Sequence, residues 1–312
     1  MIYGSDKRKD ITIKILKDIC GISFDKLVRY PNGYCHSVYY VKAGNDDYVI
    51  RITGRDNEIY YSGSLKWLSE LYNIGIPVPE VLRRGQYEDV FFTLISFMKG
   101  NDLGDIYNTL TDYEKRNIIK SLSAIQRKVS SLPAGELYGY SADECLYKTW
   151  IDFLNSQIDR ARKRIQQNGI WDADLCDTVT VKMGMLKEYF MNIKPIAFLG
   201  DITTKNVLVY KGGLSGIVDI DEICYGDSLA VIGLTNMALL KMEADTNYID
   251  YWLDEMSANE TERKAVIFYT LLFCADFMGE QGMRFDNGNN VPVNKNTIEL
   301  LNTIYIRLCG ML

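Results

Sequence analysis

Gly200-Asp201-Ile202-Thr203-Thr204-Lys205-Asn206, followed after a short apolar run by Asp219, decides how this chain is read. An Asp-x4-Asn spacing alone says little, because both residue types are common turn formers. The flanks make it specific. Val207-Leu208-Val209-Tyr210 and Leu214-Ser215-Gly216-Ile217-Val218 have the apolar, β-branched character of two short strands, and Lys211-Gly212-Gly213 between them is a hairpin turn signal. Asp201 and Asn206 then lie on the loop entering the hairpin, and Asp219 lies at its exit. A hairpin brings its ends together, so three oxygen-bearing side chains are expected around one point.

Such a set suits phosphoryl transfer. That reaction needs a carboxylate to orient an attacking hydroxyl and accept its proton, and oxygen ligands for Mg²⁺ on the nucleotide phosphates. Protein kinases draw the base and an Asn ligand from one loop and a second metal carboxylate from the next. In that scheme Asp201 is the base, and Asn206 and Asp219 hold the metal.

At these residues the chain resembles the aminoglycoside phosphotransferase and choline-kinase-like small-molecule kinases, which share the protein-kinase fold. Their signature is His-Gly-Asp-x4-Asn, a hairpin, then Ile-Asp with Gly-Asp some residues on. The corresponding residues here are Leu199-Gly200-Asp201-x4-Asn206, Val218-Asp219 and Tyr225-Gly226-Asp227. The resemblance runs through residues 25 to 240 and supports the roles just given. It also implies that Asp227 anchors the following loop rather than doing chemistry. The family's His is replaced by Leu199.

Composition bounds the alternatives. With 312 residues, 47% hydrophobic and 24% charged, the chain is large enough for two lobes. The apolar run Ile267 to Ala275 is too short to span a bilayer, so no membrane partner is expected, and the N-terminus has no apolar signal core. Seven cysteines without a CxxC pair suit a reducing cytoplasm. The single histidine, His36, argues against a Ser-His-Asp or Cys-His hydrolase and against a multi-His zinc site. Any metal should therefore sit among oxygens, which favours Mg²⁺. A net charge of −6 argues against nucleic acid as a partner.

The N-terminal third reads as a small sheet carrying a helix: a first helix at Asp10 to Cys20, a hairpin of Tyr34 to Ala43 and Tyr48 to Thr53, a helix from Asp56 to Asn73, and strands at Val81-Leu82 and Val90 to Phe97. Pro31 to Ser37 would be the loop over the triphosphate, with Gly33 allowing close backbone approach and Ser37 donating to a phosphate. His36 reads as a loop or packed residue. Arg51, a cation inside an apolar strand, needs an anionic partner. The resemblance puts it where the kinase fold has its phosphate-gripping Lys. Glu58 is the expected carboxylate partner and Glu70 the second choice, although alignment to the family places Tyr61 there. Leu94 to Gly100 resembles the family's hinge, where backbone groups of Ser96 and Met98 would meet the adenine.

From Thr111 onward the chain reads as mostly helical. Thr111 to Glu114 looks like a capping box, and further helices fit Tyr147 to Gln167, Ala173 to Asn192, Ser228 to Met242, Asn247 to Ser257, Glu260 to Gly279 and Asn294 to Leu308. Asp276 and Glu280, four apart on one helix face, could form with Asp286 an acidic wall for an amine-bearing acceptor.

The expected fold is α+β and two-lobed, with an antiparallel-sheet nucleotide lobe at 1–98 and a helical lobe at 99–312, and with the active site in the cleft between them. The expected activity is transfer of the γ-phosphate of ATP or GTP to a hydroxyl of a small molecule, with aminoglycosides the leading acceptor class and choline-like amino alcohols, homoserine, thioribose sugars and macrolides also open. The alternative is a catalytically inactive pseudokinase that binds nucleotide or acts as a scaffold.

Overall fold

The computed structural model describes residues 5–30, 36–142, 146–283 and 291–312. Gly33 and Asp286, two of the expected site residues, lie outside the described residues. The chain divides into two compact units, the first running to Lys99 and the second starting at Gly100.

In the first unit, helix α1 (Ser5–Lys14) is followed by strands β1 (Lys26–Arg29), β2 (His36–Ala43) and β3 (Asp46–Gly54), helix α2 (Glu58–Asn73), and strands β4 (Val81–Tyr87) and β5 (Val90–Ser96). The strands form one antiparallel sheet in the order β1-β2-β3-β5-β4. The first helix starts earlier than its apolar stripe suggests and ends in a wider turn, Ile15–Ile19. Together they deliver Ile11, Ile15 and Leu16 onto one sheet face, against Tyr39, Val41, Ile50, Ile52, Phe92 and Leu94. Each such fully buried aliphatic side chain contributes about 1.5–3 kcal/mol. Helix α2 packs on β3 and β4 with Leu65, Leu68 and Leu71 buried, as their spacing predicts, and Tyr61 stacks on Phe91 with centroids 4.6 Å apart.

The second unit begins with strand β6 (Asn101–Asp102), helices α3 (Leu103–Ile106) and α4 (Asp112–Val129), strand β7 (Gly139–Tyr140), and helices α5 (Trp150–Asn168), α6 (Leu175–Met185) and α7 (Lys187–Met191). Strands β8 (Ile196–Phe198), β9 (Val207–Tyr210), β10 (Gly213–Ile217) and β11 (Cys224–Gly226) follow, then helices α8 (Leu229–Lys241), α9 (Asn247–Glu255), α10 (Glu260–Gly279) and α11 (Lys295–Met311). Two small sheets, β10-β9-β6 and β7-β11-β8, sit among helices grouped around α10, which packs on α5, α6, α8 and α11. An antiparallel-sheet unit and a mainly helical unit make the α+β, protein-kinase-like architecture that the motif implied.

Side-chain caps set several helix starts. Thr111 and Glu114 form the expected capping box on α4, and Asn259 with Glu262 forms a second one on α10. Thr149 caps α5, so that helix starts at Trp150, while Tyr147 instead bridges to Tyr138. The stretch expected as one helix from Ala173 to Asn192 is two, separated at Leu186.

Gly226 shows how tightly the second unit is assembled. It has φ 153°, and a Cβ there would lie 2.1 Å from the Trp150 ring. The next residue, Asp227, is buried and accepts hydrogen bonds from the hydroxyls of Tyr189 (2.8 Å) and Tyr269 (2.7 Å) and from the Leu229 N–H (3.0 Å), while Trp150 Nε1 donates to Tyr269 at 2.7 Å. Three donors on one buried carboxylate tie α5, α7, α8 and α10 together. Gly226→Ala should lose about 2–3 kcal/mol of unfolding free energy in a urea titration, the usual range for overpacking a filled site.

Candidate active site

The loop that follows β8 carries Asp201. Its start is held by an unusual bracket: Gln126 of α4 accepts from the Leu199 N–H through Oε1 and donates through Nε2 to the Leu199 carbonyl, both at 3.0 Å. The Leu199 side chain itself is buried in the core. Further along, the Gly104 N–H of α3 donates to the Thr204 carbonyl at 2.7 Å. The loop is thus pinned on both sides of Asp201 before the hairpin begins.

The hairpin is tighter than its sequence suggests. Its turn is Lys211–Gly212, with φ of 52° and 74°, and Gly213 already pairs with Tyr210. Two consecutive left-handed residues match the twist of a two-residue hairpin. A register shift between Leu214 and Gly216 leaves Ser215 as an extra residue. At the open end the Val218 N–H donates to the Asn206 carbonyl at 3.0 Å, which brings the exit strand back to the entry loop. Asp219 then turns through a left-handed backbone, φ 59°, at a cost on the order of 1 kcal/mol.

This places Asp201, Asn206 and Asp219 together. Asn206 Nδ2 donates to the Asp201 backbone carbonyl (2.8 Å) and to its Oδ2 (2.9 Å). With its donor end tied down, the Asn206 amide has its carbonyl oxygen as the acceptor that could serve as a ligand. Asp201 keeps Oδ1 for another partner. Crowding by surrounding protein and the negative charge of Asp219 push the Asp201 carboxyl up to about 7, against the pull of the Asn206 bond and Lys205. The side chain is open to water, so the neighbouring charge is the firmer of the two causes. Neither Lys205 nor Gln126 stands out in the sequence: one lies inside the Asp-x4-Asn spacer, and the other is a helix residue whose bonds go only to backbone.

The donor set fits a hard divalent cation. Asp219 supplies a carboxylate and Asn206 an amide oxygen, and no group of three or more His, Cys, Asp or Glu side chains that could hold a metal occurs among the described residues. Two protein ligands, with the remaining positions left to phosphate oxygens and water, is the mode Mg²⁺ adopts on nucleotides.

In the first unit Arg51 is buried, and its Nη1 donates to Ser64 Oγ of α2 at 2.9 Å. Ser64, not Glu58, stands at this contact; Glu58 is exposed in the first turn of α2, and Glu70 is exposed as well. The β2–β3 register separates two residues expected to act together. Arg51 pairs with Val38, whereas Ser37 pairs with Ile52. Side chains alternate along a strand, so Ser37 and Arg51 project from opposite faces. Ser37 is buried on the α1 side and accepts from Arg8 Nη1 at 2.9 Å. It therefore does not join Arg51 on one phosphate. His36 and Thr53 do share the Arg51 face, with His36 Nδ1 and Thr53 Oγ1 2.9 Å apart.

At the expected hinge, the Ser96 N–H donates to the Glu80 carbonyl at 2.9 Å and its Oγ accepts from the Glu80 N–H at 2.9 Å. The Ser96 N–H and hydroxyl are therefore both committed to Glu80. Met98 is half-buried beyond the strand end.

Asp276 and Glu280 do share a face of the α10 end, but that face is turned to α5. Asp276 is buried between Arg160 (3.1 Å) and Arg164 (2.8 Å), and Arg164 reaches Glu280 at 3.9 Å. The pair is therefore committed to arginines and does not stand as an acidic wall.

The matching family model, described as the phosphotransferase enzyme family, covers residues 26–263, most of the chain. The chain belongs to that family. Its backbone is similar to aminoglycoside phosphotransferase APH(4)-Ia in complex with ADP and hygromycin B, with a TM-score of 0.68 at 16% identity, covering 95% of this chain and 97% of that one. Aminoglycoside 2′-phosphotransferase-IIIa in its GDP complex gives a TM-score of 0.70 at 14% identity, with 97% and 98% covered. A putative fructosamine-3-kinase from Haemophilus somnus gives 0.65 at 13%, with 93% and 95% covered. At such identities these likenesses establish the fold. A curated relative, an uncharacterized protein in the ileS 3′ region of Staphylococcus aureus, is 23% identical over 120 residues, 38% of this chain and 83% of that protein.

Asp102, whose strand pairs with β9, offers a pH test of this region. Burial and the nearby Asp105 charge raise its carboxyl to about 6, with Lys205 pulling the other way. Below pH 4 it is protonated both folded and unfolded and costs nothing. As pH rises from 4 through 6 the unfolded chain ionises first, so folded stability falls. Asp102→Asn should match the parent below pH 4 and become more stable through that window, by about 1 kcal/mol above pH 6, as read by calorimetric unfolding across pH.

Proposed function

We propose that this chain is an O-phosphotransferase that moves the γ-phosphate of ATP or GTP to a hydroxyl of a small molecule, an aminoglycoside-type antibiotic or a related hydroxylated metabolite. The observation that carries the reading is the pair of hydrogen bonds that Asn206 Nδ2 donates to Asp201, beside Asp219. One amide orients the base and presents a ligand oxygen at the same time.

In this reading Asp201 Oδ1 accepts the acceptor's hydroxyl proton. The acceptor oxygen bonds to the γ-phosphorus, the bond from that phosphorus to the β–γ bridging oxygen breaks, and the nucleoside diphosphate leaves. Asn206 Oδ1 and Asp219 hold Mg²⁺, which when bound offsets charge on the phosphates. Arg51 lends guanidinium donors to the phosphates, held in place by Ser64. The Ser96 carbonyl and the backbone of Met98 meet the base, and Gly33 lies in the loop over the phosphates.

Calorimetric titration with ATP and with GTP, each with and without Mg²⁺, tests this directly. Mg²⁺-dependent binding of at least one is expected. Asp219→Ala should abolish the Mg²⁺-dependent part of that affinity. Asp201→Asn should keep nucleotide binding while nucleotide turnover falls by about 10²–10⁴-fold, the usual contribution of a general base. Absence of binding to either nucleotide would replace the enzyme reading with the scaffolding pseudokinase.

A further inference from the structure

Asp201 is held from both sides in sequence, and the two holds differ in kind. Downstream, Asn206 Nδ2 binds its carbonyl and its Oδ2, so this hold comes from a side chain of the same loop. Upstream, the hold comes from α4. Leu199 is the first residue past β8, whose last residue, Phe198, pairs with Cys224 of β11. Its side chain is apolar and buried, so Leu199 can be gripped by polar groups only through its backbone. The Gln126 amide answers both of those backbone groups at 3.0 Å and so orients the peptide planes on either side of Leu199. A primary amide carries the donor and the acceptor this requires in one planar group. The base beneath it is firm: Leu122, Ile125 and Val129 of α4 are buried, and the helix packs on α9, β10 and β8. Only Gly200 separates the gripped residue from Asp201.

The expected metal ligands have anchors of their own. The Asn206 N–H donates to the Thr203 carbonyl at 3.3 Å, the Val218 N–H returns to the Asn206 carbonyl at 3.0 Å, and the Thr204 carbonyl is tied to Gly104 at 2.7 Å. None of these bonds passes through Gln126.

We propose that Gln126 is a positioning residue for phosphoryl transfer: through the Leu199 backbone it sets where the Asp201 carboxyl meets the attacking oxygen, and it serves turnover without serving Mg²⁺–nucleotide binding. This rests on the phosphotransferase reading and adds to it a residue that acts only through another. A general base works only within hydrogen-bond reach of the proton it takes. Without the Gln126 bonds, the backbone leading into Asp201 loses its tie to α4, and the carboxyl is left to a single side-chain amide.

The test is a double-mutant cycle between Asp201→Asn and Gln126→Met, which keeps the side chain's length and removes both hydrogen-bonding groups. Turnover is read as Mg²⁺-dependent hydrolysis of γ-labelled ATP and GTP at saturating nucleotide, with water as the acceptor, and nucleotide affinity by calorimetry. Gln126→Met should lower turnover by about 10–100-fold while the Mg²⁺–nucleotide Kd stays within about twofold of the parent. Introduced into Asp201→Asn, it should change turnover by less than about twofold, because no base remains to be misplaced. Equal losses in both backgrounds, or a Kd that weakens in step with the rate, would make Gln126 a structural group and overturn the proposal. A folded Gln126→Met with the parent's turnover would do the same. A crystal structure of the variant gives a readout that needs no activity: the Asp201 carboxyl should be displaced by about 1 Å or spread over conformers, with Asp219 and the hairpin unmoved. An unmoved Asp201 refutes the positioning role. Should Gln126→Met fail to fold, Gln126→Glu, which keeps an acceptor for the Leu199 N–H and loses the donor, carries the same cycle with the same expected signs. A parent that binds no nucleotide sinks the phosphotransferase reading and this role with it, whereas a parent that turns nucleotide over leaves the cycle to judge Gln126 alone.

Discussion

The chemistry of the second unit depends on a two-residue turn. Lys211 and Gly212 both adopt left-handed backbone, a turn that closes β9 on β10 with a twist matching that of the strands. Gly212 is confined from outside as well, since a Cβ there would lie 2.2 Å from Glu114 Oε1. Glu114 is itself held by the capping box at the start of α4. The N-terminus of one helix therefore buttresses the turn. At the far end of the same hairpin, the Val218–Asn206 bond brings two carboxylates and an amide into one neighbourhood. A one-residue slip in the hairpin would turn every side chain on it to the other face and dissolve the site.

The loop that carries Asp201 has no regular structure of its own, so its order is borrowed. Gln126 supplies the amide-to-amide pairing that a strand neighbour would give Leu199, and the Gly104 N–H satisfies the Thr204 carbonyl. Each such bond contributes about 1 kcal/mol net. Their larger effect is to remove the backbone freedom that would otherwise blur where the Asp201 carboxyl sits. Replacement of the family's His by Leu199 is compatible with this arrangement, because the position is held through its backbone while its side chain fills the core.

Much of the fold was legible because it is written in local chemistry: a hairpin turn within Lys211 to Gly213, the Thr111 capping box, the apolar stripe of α2, and the full extent of α10. That Asp201, Asn206 and Asp219 come together was legible for the same reason, since all three residues flank one hairpin. What the sequence hid was orientation. Ser37 and Arg51 look like neighbours on adjacent strands, yet pairing register puts them on opposite faces. Asp276 and Glu280 look like an open acidic face, but their partners Arg160 and Arg164 come from a helix more than a hundred residues away. Spacing along one element says which residues share a face, not what that face meets. Short strands such as β7, β8 and β11 were missed because two or three residues carry no periodicity.

The same contrast explains how one unit can hold so many carboxylates with different roles. Asp227 is buried but receives three hydrogen bonds, so its charge is spread over donors and it works as a structural clamp. Asp276 is buried between two guanidinium groups and is electrostatically closed. Asp201 is paired with a single neutral amide and faces a second carboxylate, so part of its charge remains uncompensated. A protein that sought only stability would pair or remove such a group. In the proposed reading, the charge left on Asp201 is what an attacking hydroxyl meets. Under that reading Asp201, under-compensated like Asp102 but tied to Asn206, is the carboxylate suited to chemistry.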